Sequence, residues 1–153
     1  MSDIASAQFT NDSRERNSMN RLIMMAAFVL VAMGNASAAD DKAKLMARGQ
    51  QVYNEYCKTC HQANGQGLGA VYPPLAKSDY LKNTPMPQII KEVVNGKSGK
   101  IKVNGKEYNG VMAPLPKKYN DQDIASVITY VYNSFGNSGP TVSVADVKKH
   151  KKK

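Results

Sequence analysis

Two cysteines and two histidines in 153 residues, with no tryptophan and three phenylalanines, leave few of the groups on which most site chemistry depends. Two thiols exclude a framework of several disulfides. Cys57, Cys60, His61 and His150 are the whole supply of Cys and His, and His150 stands in a lysine run, so a four-ligand zinc centre is not assembled. Paired carboxylates, a Ser-His-Asp arrangement and nucleic-acid motifs are all missing. Gly65, Gly67 and Gly69 are not followed by Gly-Lys-Ser/Thr, which removes a phosphate-binding loop. The longest apolar run, Leu22 to Met33, has twelve residues. A transmembrane helix needs about 20.

What is present is Cys57-Lys58-Thr59-Cys60-His61. Cys-x-x-Cys-His is the spacing that attaches a c-type haem. Thiols three positions apart fall on neighbouring turns of a helix, within reach of the two vinyl groups on one porphyrin edge. His61 then supplies the proximal iron ligand and leaves a sixth position to be filled or left open. A thioredoxin-like pair would sit beside a βαβ pattern, and a plain disulfide would leave the adjacent histidine unexplained. One covalent haem c, with its iron, is the expected cofactor.

Arg21, the apolar run and Ala36-Ser37-Ala38 have the layout of a signal peptide. Residues 1–39 are therefore expected to be removed on export, leaving a periplasmic domain over 40–139, a basic C-terminal tail over 140–153 and no membrane anchor. Residues 1–18 carry Asp3, Asp12 and Glu15, which suit an n-region poorly, and Met19 is the expected start. Removal of residues 1–39 takes away three basic and three acidic residues, so the formal charge stays at +9.

After Asp40, apolar positions at Leu45, Met46, Gly49, Val52, Tyr53 and Tyr56 predict a helix ending near Tyr56. Gly49 predicts a close crossing by a second helix over Asp121 to Phe135, with Val127 and Tyr130 set against Gly49 and Tyr53. Glycines and Pro73-Pro74 make 62–77 a loop, with Leu75 a core residue against the haem. A short helical turn over 78–83 and a helix over 86–95 stopped by Gly96 follow. Lys100 to Val103, Asn104-Gly105 and Lys106 to Tyr108 predict a small two-stranded hairpin.

In this order, Gly49-x-x-x-Tyr53, the haem motif, Pro73-x-Leu75 and Val127-Ile128-Thr129-Tyr130 make residues 43–137 resemble class I cytochrome c. The resemblance implies an all-α fold, here with a short hairpin, wrapped around one covalent haem. It implies that the Pro73 carbonyl accepts the Nδ1 proton of His61. Met46, Met86, Met112 and His150 are the mature candidates for the sixth ligand, and the family's distal loop before the last helix corresponds to Tyr108 through Pro114. That favours Met112, although Ala113 separates it from Pro114 where the family has Met-Pro. The expected site residues are thus Cys57, Cys60, His61, Pro73, Leu75 and Met112, with His61 and Met112 on the metal and no catalytic residue.

The implied function is an exported single-haem electron carrier between respiratory partners. Two alternatives stay open: a haem subunit of a larger dehydrogenase or reductase, and an open-site haem enzyme or gas binder. The chain is also similar to cytochromes that serve copper nitrite reductases and haem-copper oxidases. Lys58, Lys77, Lys117 and Lys118 are expected around the exposed haem edge, which would suit redox partners with acidic docking surfaces.

Overall fold

The computed structural model describes residues 41–151. The expected signal peptide and the start at Met19 lie outside the described residues. Helix α1 runs over 41–52 and presents Gly49 and Val52 to the core, with Lys42, Lys44 and Gln51 exposed. It does not stop at Tyr56. Tyr53–Cys57 form one π-helical turn, and α2, Lys58–His61, continues directly from it. Gln62, at φ 64°, turns the chain away. A π turn shifts the residues beyond it around the helix axis. It lies immediately ahead of Cys60 and His61 and so sets the direction from which both leave the helix.

The following loop is tied by its own backbone. Gly67 N–H donates to the His61 carbonyl at 3.0 Å, and the Gly65 carbonyl accepts from Leu75 and Ala76 at 2.7 and 2.8 Å. Gly67 has φ +71°, and a Cβ there would run into the Tyr72 carbonyl and the Pro73 backbone, so this position requires glycine.

α3, Asp79–Asn83, is capped by the Ser78 hydroxyl accepting from Leu81 N–H. α4, Met86–Asn95, starts after Pro85 and ends at Gly96 with φ 78°, within the predicted bounds. The hairpin is longer than its alternation suggested. β1, Lys97–Val103, pairs antiparallel with β2, Lys106–Met112, from Val103↔Lys106 at the turn to Lys97↔Met112 at the open end. Asn104 and Gly105 at φ 51° and 81° make the two-residue turn. Met112 therefore lies on a strand, not in a loop.

α5, Asp121–Tyr132, is opened by a capping box between Asn120 and Asp123 and ends at Tyr132, three residues before the expected Phe135. It crosses α1 at Gly49, where the contacts are the Ser126 carbonyl and Tyr130 Cβ. Tyr130 is as predicted, and Ser126 takes the place expected for Val127. Tyr53 packs on Tyr130 and Phe135 with ring centroids 5.6 and 5.0 Å apart.

The segment expected as a basic tail is, over its described part, a packed helix. Val142 N–H donates to Thr129 Oγ1 at 2.9 Å, and Ser143 and Asp146 form a capping box that opens α6, Val144–His150. Val142 and Val147 are buried, α6 lies against α4 and α5, and Lys151 Nζ reaches Asp121 at 2.8 Å. Two buried valines anchor the segment while Lys148 and Lys149 stay exposed beyond them. Val147→Ala is accordingly expected to cost about 2 kcal/mol in a denaturant titration. Lys149→Ala should stay within about 0.5 kcal/mol of the parent. Equal midpoints for the parent and Val147→Ala would return the segment to a solvated tail.

Candidate haem site

α2, the 62–77 loop, α4, the hairpin and α5 enclose a mostly apolar cavity of about 400 Å³. Cys57, Cys60, His61, Pro73, Leu75 and Met112 all line it, so one chamber gathers every residue expected at the site. Met46, Met86 and His150 do not line it. Among the four sixth-ligand candidates, Met112 alone shares a cavity with His61.

His61 is buried, and its Nδ1 lies 3.0 Å from the Pro73 carbonyl oxygen. A carbonyl only accepts, so Nδ1 carries the proton and Nε2 the lone pair. Burial holds the His61 pKa below the ordinary histidine value, and the Pro73 hydrogen bond opposes this in part. A neutral, oriented imidazole is the form that ligates a metal. The two cysteines are free, and burial pushes the Cys57 thiol up to about 11. A thiol kept neutral suits an uncharged thioether in an apolar wall better than a thiolate ligand. Two thiols, one free imidazole lone pair and a methionine thioether around an apolar space fit a covalently held haem.

The rest of the lining comes from residues to which the sequence assigns no place at the site. Ile89 and Val93 come from α4, Ile101 and Tyr108 from the hairpin, and Val127 and Val131 from α5. The alternation through Ile101 and Val103 was the available signal, since it marks one apolar face of β1. A polar cluster also reaches the cavity: Glu92 accepts from Tyr80 at 2.7 Å and Gln88 at 3.0 Å, and pairs with Lys97 at 3.1 Å. Lys58, Lys77, Lys117 and Lys118 are exposed and line no part of the cavity. The three exposed large apolar residues among those described are Leu68, Val71 and Val111, at 53%, 61% and 77%. Val71 and Val111 also line the cavity, so it reaches the surface beside them.

The family model for cytochrome c matches residues 46–134. The chain belongs to the cytochrome c family. Its fold, mostly helical with one small antiparallel hairpin, is that of a small class I member. Cytochrome c-552 of Thermus thermophilus is 34% identical over 123 residues, covering 78% of this chain and 75% of the relative. The Cbb3-type cytochrome c oxidase subunit CcoP of an Azospirillum species is 32% identical over 108 residues, 67% of this chain but only 32% of that subunit. The cytochrome c subunit of a quinone alcohol dehydrogenase from Gluconacetobacter polyoxogenes is 29% identical over 103 residues, 66% of this chain and 22% of the relative. Membership implies covalent haem c, and Cys57-x-x-Cys60-His61 is where it would be held. When bound, haem c supplies one-electron chemistry at its iron.

Proposed function

We propose that this chain is an exported electron carrier with a single haem, attached through Cys57 and Cys60 and ligated by His61 and Met112. The carrying observation is the shared cavity: both thiols, the oriented imidazole and one methionine among four candidates converge on it. Leu75 packs inside it and the Pro73 carbonyl holds the His61 tautomer. His61 and Met112 would both hold the iron, which would favour its reduced state and suit electron transfer rather than gas binding. Among the described residues no helix is long and apolar enough to cross a membrane. With the Leu22 to Met33 signal pattern, this supports a periplasmic protein free of the membrane after cleavage of residues 1–39.

Partners would be redox proteins, with a haem-copper oxidase or nitrite reductase as the terminal class. Exposed Val71 and Val111, beside the place where the cavity opens, provide a face for close approach, and the exposed lysines would steer acidic partners toward the molecule. A second reading, a resident haem subunit of a larger complex, is favoured by the relatives named as oxidase and dehydrogenase subunits.

The ligation is tested by Met112→Ala. The ferric parent should show the red-end charge-transfer band of sulfur ligation and bind no carbon monoxide when reduced. The variant should lose the band and bind carbon monoxide. Carbon monoxide binding by the parent would instead support the open-site alternative, and a band that survives in the variant would remove Met112 from the iron.

A further inference from the structure

The π turn Tyr53–Cys57 reaches across to the segment that leads from Met112 into α5. The Tyr56 hydroxyl donates to the Pro114 carbonyl at 3.0 Å, and the Tyr119 hydroxyl donates to Glu55 Oε2 at 3.0 Å. The two rings pack on each other with centroids 6.4 Å apart, and Tyr119 is buried. Consecutive residues of one turn, Glu55 and Tyr56, are thus bonded to residues 114 and 119. The next residue is Cys57. A π turn changes the directions in which side chains leave a helix, and such turns recur where those directions matter to function.

The segment beyond Met112 is otherwise held from α4 and the hairpin. Met112 ends β2, where it pairs with Lys97, and Leu115 N–H donates to the Val93 carbonyl at 2.9 Å. Gly96 lies against the Met112 carbonyl oxygen and the Pro114 Cδ, where a Cβ would come within 2.6 and 3.1 Å. Between the strand end and the Val93 bond stand Ala113 and Pro114, both exposed. Pro114 has no N–H with which to anchor this stretch. Its carbonyl is the acceptor that Tyr56 reaches.

Resting on the assignment of Met112 to the iron, we propose that Tyr56 is a positioning residue for the sixth ligand, because its hydrogen bond to Pro114 fastens the Met112 segment to the turn that carries Cys57. The attachment point and the distal ligand then share one frame. Tyr56 and Cys57 line the same cavity as Met112 and Ala113, so a shift of residues 112–114 away from the turn widens the space that Met112 has to span. The ring contact with Tyr119, itself tied back to Glu55, holds the Tyr56 hydroxyl in place. One such hydrogen bond contributes about 1 kcal/mol net, a modest share of stability but enough to move a ligand-exchange equilibrium severalfold.

The test is a titration of the haem-loaded ferric protein with imidazole, followed by loss of the red-end charge-transfer band. Imidazole competes with Met112 for the sixth position, and its apparent affinity follows the fraction of molecules in which Met112 has let go. Tyr56→Phe removes the hydroxyl and keeps the ring on Tyr119, so the fold is retained. This variant should bind imidazole about fivefold more tightly than the parent. Tyr132→Phe, which loses a cavity-wall hydroxyl bonded to the Leu81 carbonyl at 2.8 Å, should match the parent. A tyrosine with a purely structural role would lower the unfolding midpoint and leave the titration unmoved, so equal imidazole affinity in Tyr56→Phe and the parent overturns the positioning role. Met112→Ala separates that failure from a failure of the ligation. Loss of its band keeps Met112 on the iron, whereas a band that survives there removes Met112, and the role of Tyr56 with it.

Discussion

Cys57→Ser combined with Cys60→Ser is expected to yield a chain that keeps no haem through acid-acetone extraction and that loses most of its helical circular dichroism. The loss of colour follows from the chemistry, since no other cysteine can form a thioether. The loss of fold follows from the cavity. An apolar space of about 400 Å³ left without its occupant would expose its apolar walls to water, at a cost on the order of several kcal/mol. Collapse of the walls would recover part of that, but small domains have only about 5–15 kcal/mol in total. α2 has four residues and α3 five, too short to stand as isolated helices, so each depends on what it packs against. A single Cys60→Ser variant retains one attachment point and should remain coloured and folded with a lower unfolding midpoint. Full helicity in the colourless double variant would mean that the polypeptide alone supports the fold.

Local signals in the sequence specify the structure where each has one physical cause. Gly96 can adopt the positive φ that ends α4, and Asn104-Gly105 can adopt the paired positive φ values of a tight hairpin turn. The thiol and imidazole spacing needs no tertiary information, and Pro73 followed from the family pattern alone. Local pattern and structure part where a tertiary partner decides the outcome. The strands extend to Lys97 and Met112 through Gly99 and Gly110, which do not alternate, because backbone pairing continues where the side-chain pattern has ended. Nothing local marks the π turn at Tyr53–Cys57.

The C-terminal helix had a signal that the lysine run obscured. Ser143-x-x-Asp146 is a capping pattern, and Val142, Val144 and Val147 around it offer a small apolar face. Lysines in a helix's last turn sit well against its C-terminal partial charge, so Lys148 and Lys149 are compatible with order. The polar cluster of Tyr80, Glu92 and Lys97 was out of reach for another reason. Its members come from α3, α4 and β1, and only the packing of those elements around one cavity brings them together.

Gly49→Ala should be among the most damaging of the conservative single changes, against the expectation from helix propensity. Alanine in a helix is favoured over glycine by about 1 kcal/mol, so an exposed glycine would be improved by the change. Gly49 is buried at the crossing with α5, where a Cβ would overlap the Ser126 carbonyl oxygen and lie 2.6 Å from Tyr130 Cβ. Neither neighbour is the free end of a flexible side chain. The overlap is relieved only by moving α5 away from α1. α5 carries Ser126 and Thr129 at 0% exposure, so it cannot shift without opening the core. The cost of such overpacking, about 3 kcal/mol, outweighs the propensity gain. Gln50→Ala is the matched comparison, because Gln50 is the next residue of the same helix and is exposed. Denaturant titration of the two haem-loaded variants should place Gly49→Ala well below the parent and Gln50→Ala close to it. A Gly49→Ala midpoint at or above the parent would show that the helices separate freely, and the crossing would then lose its role in holding the Cys57 and Cys60 turn against α5.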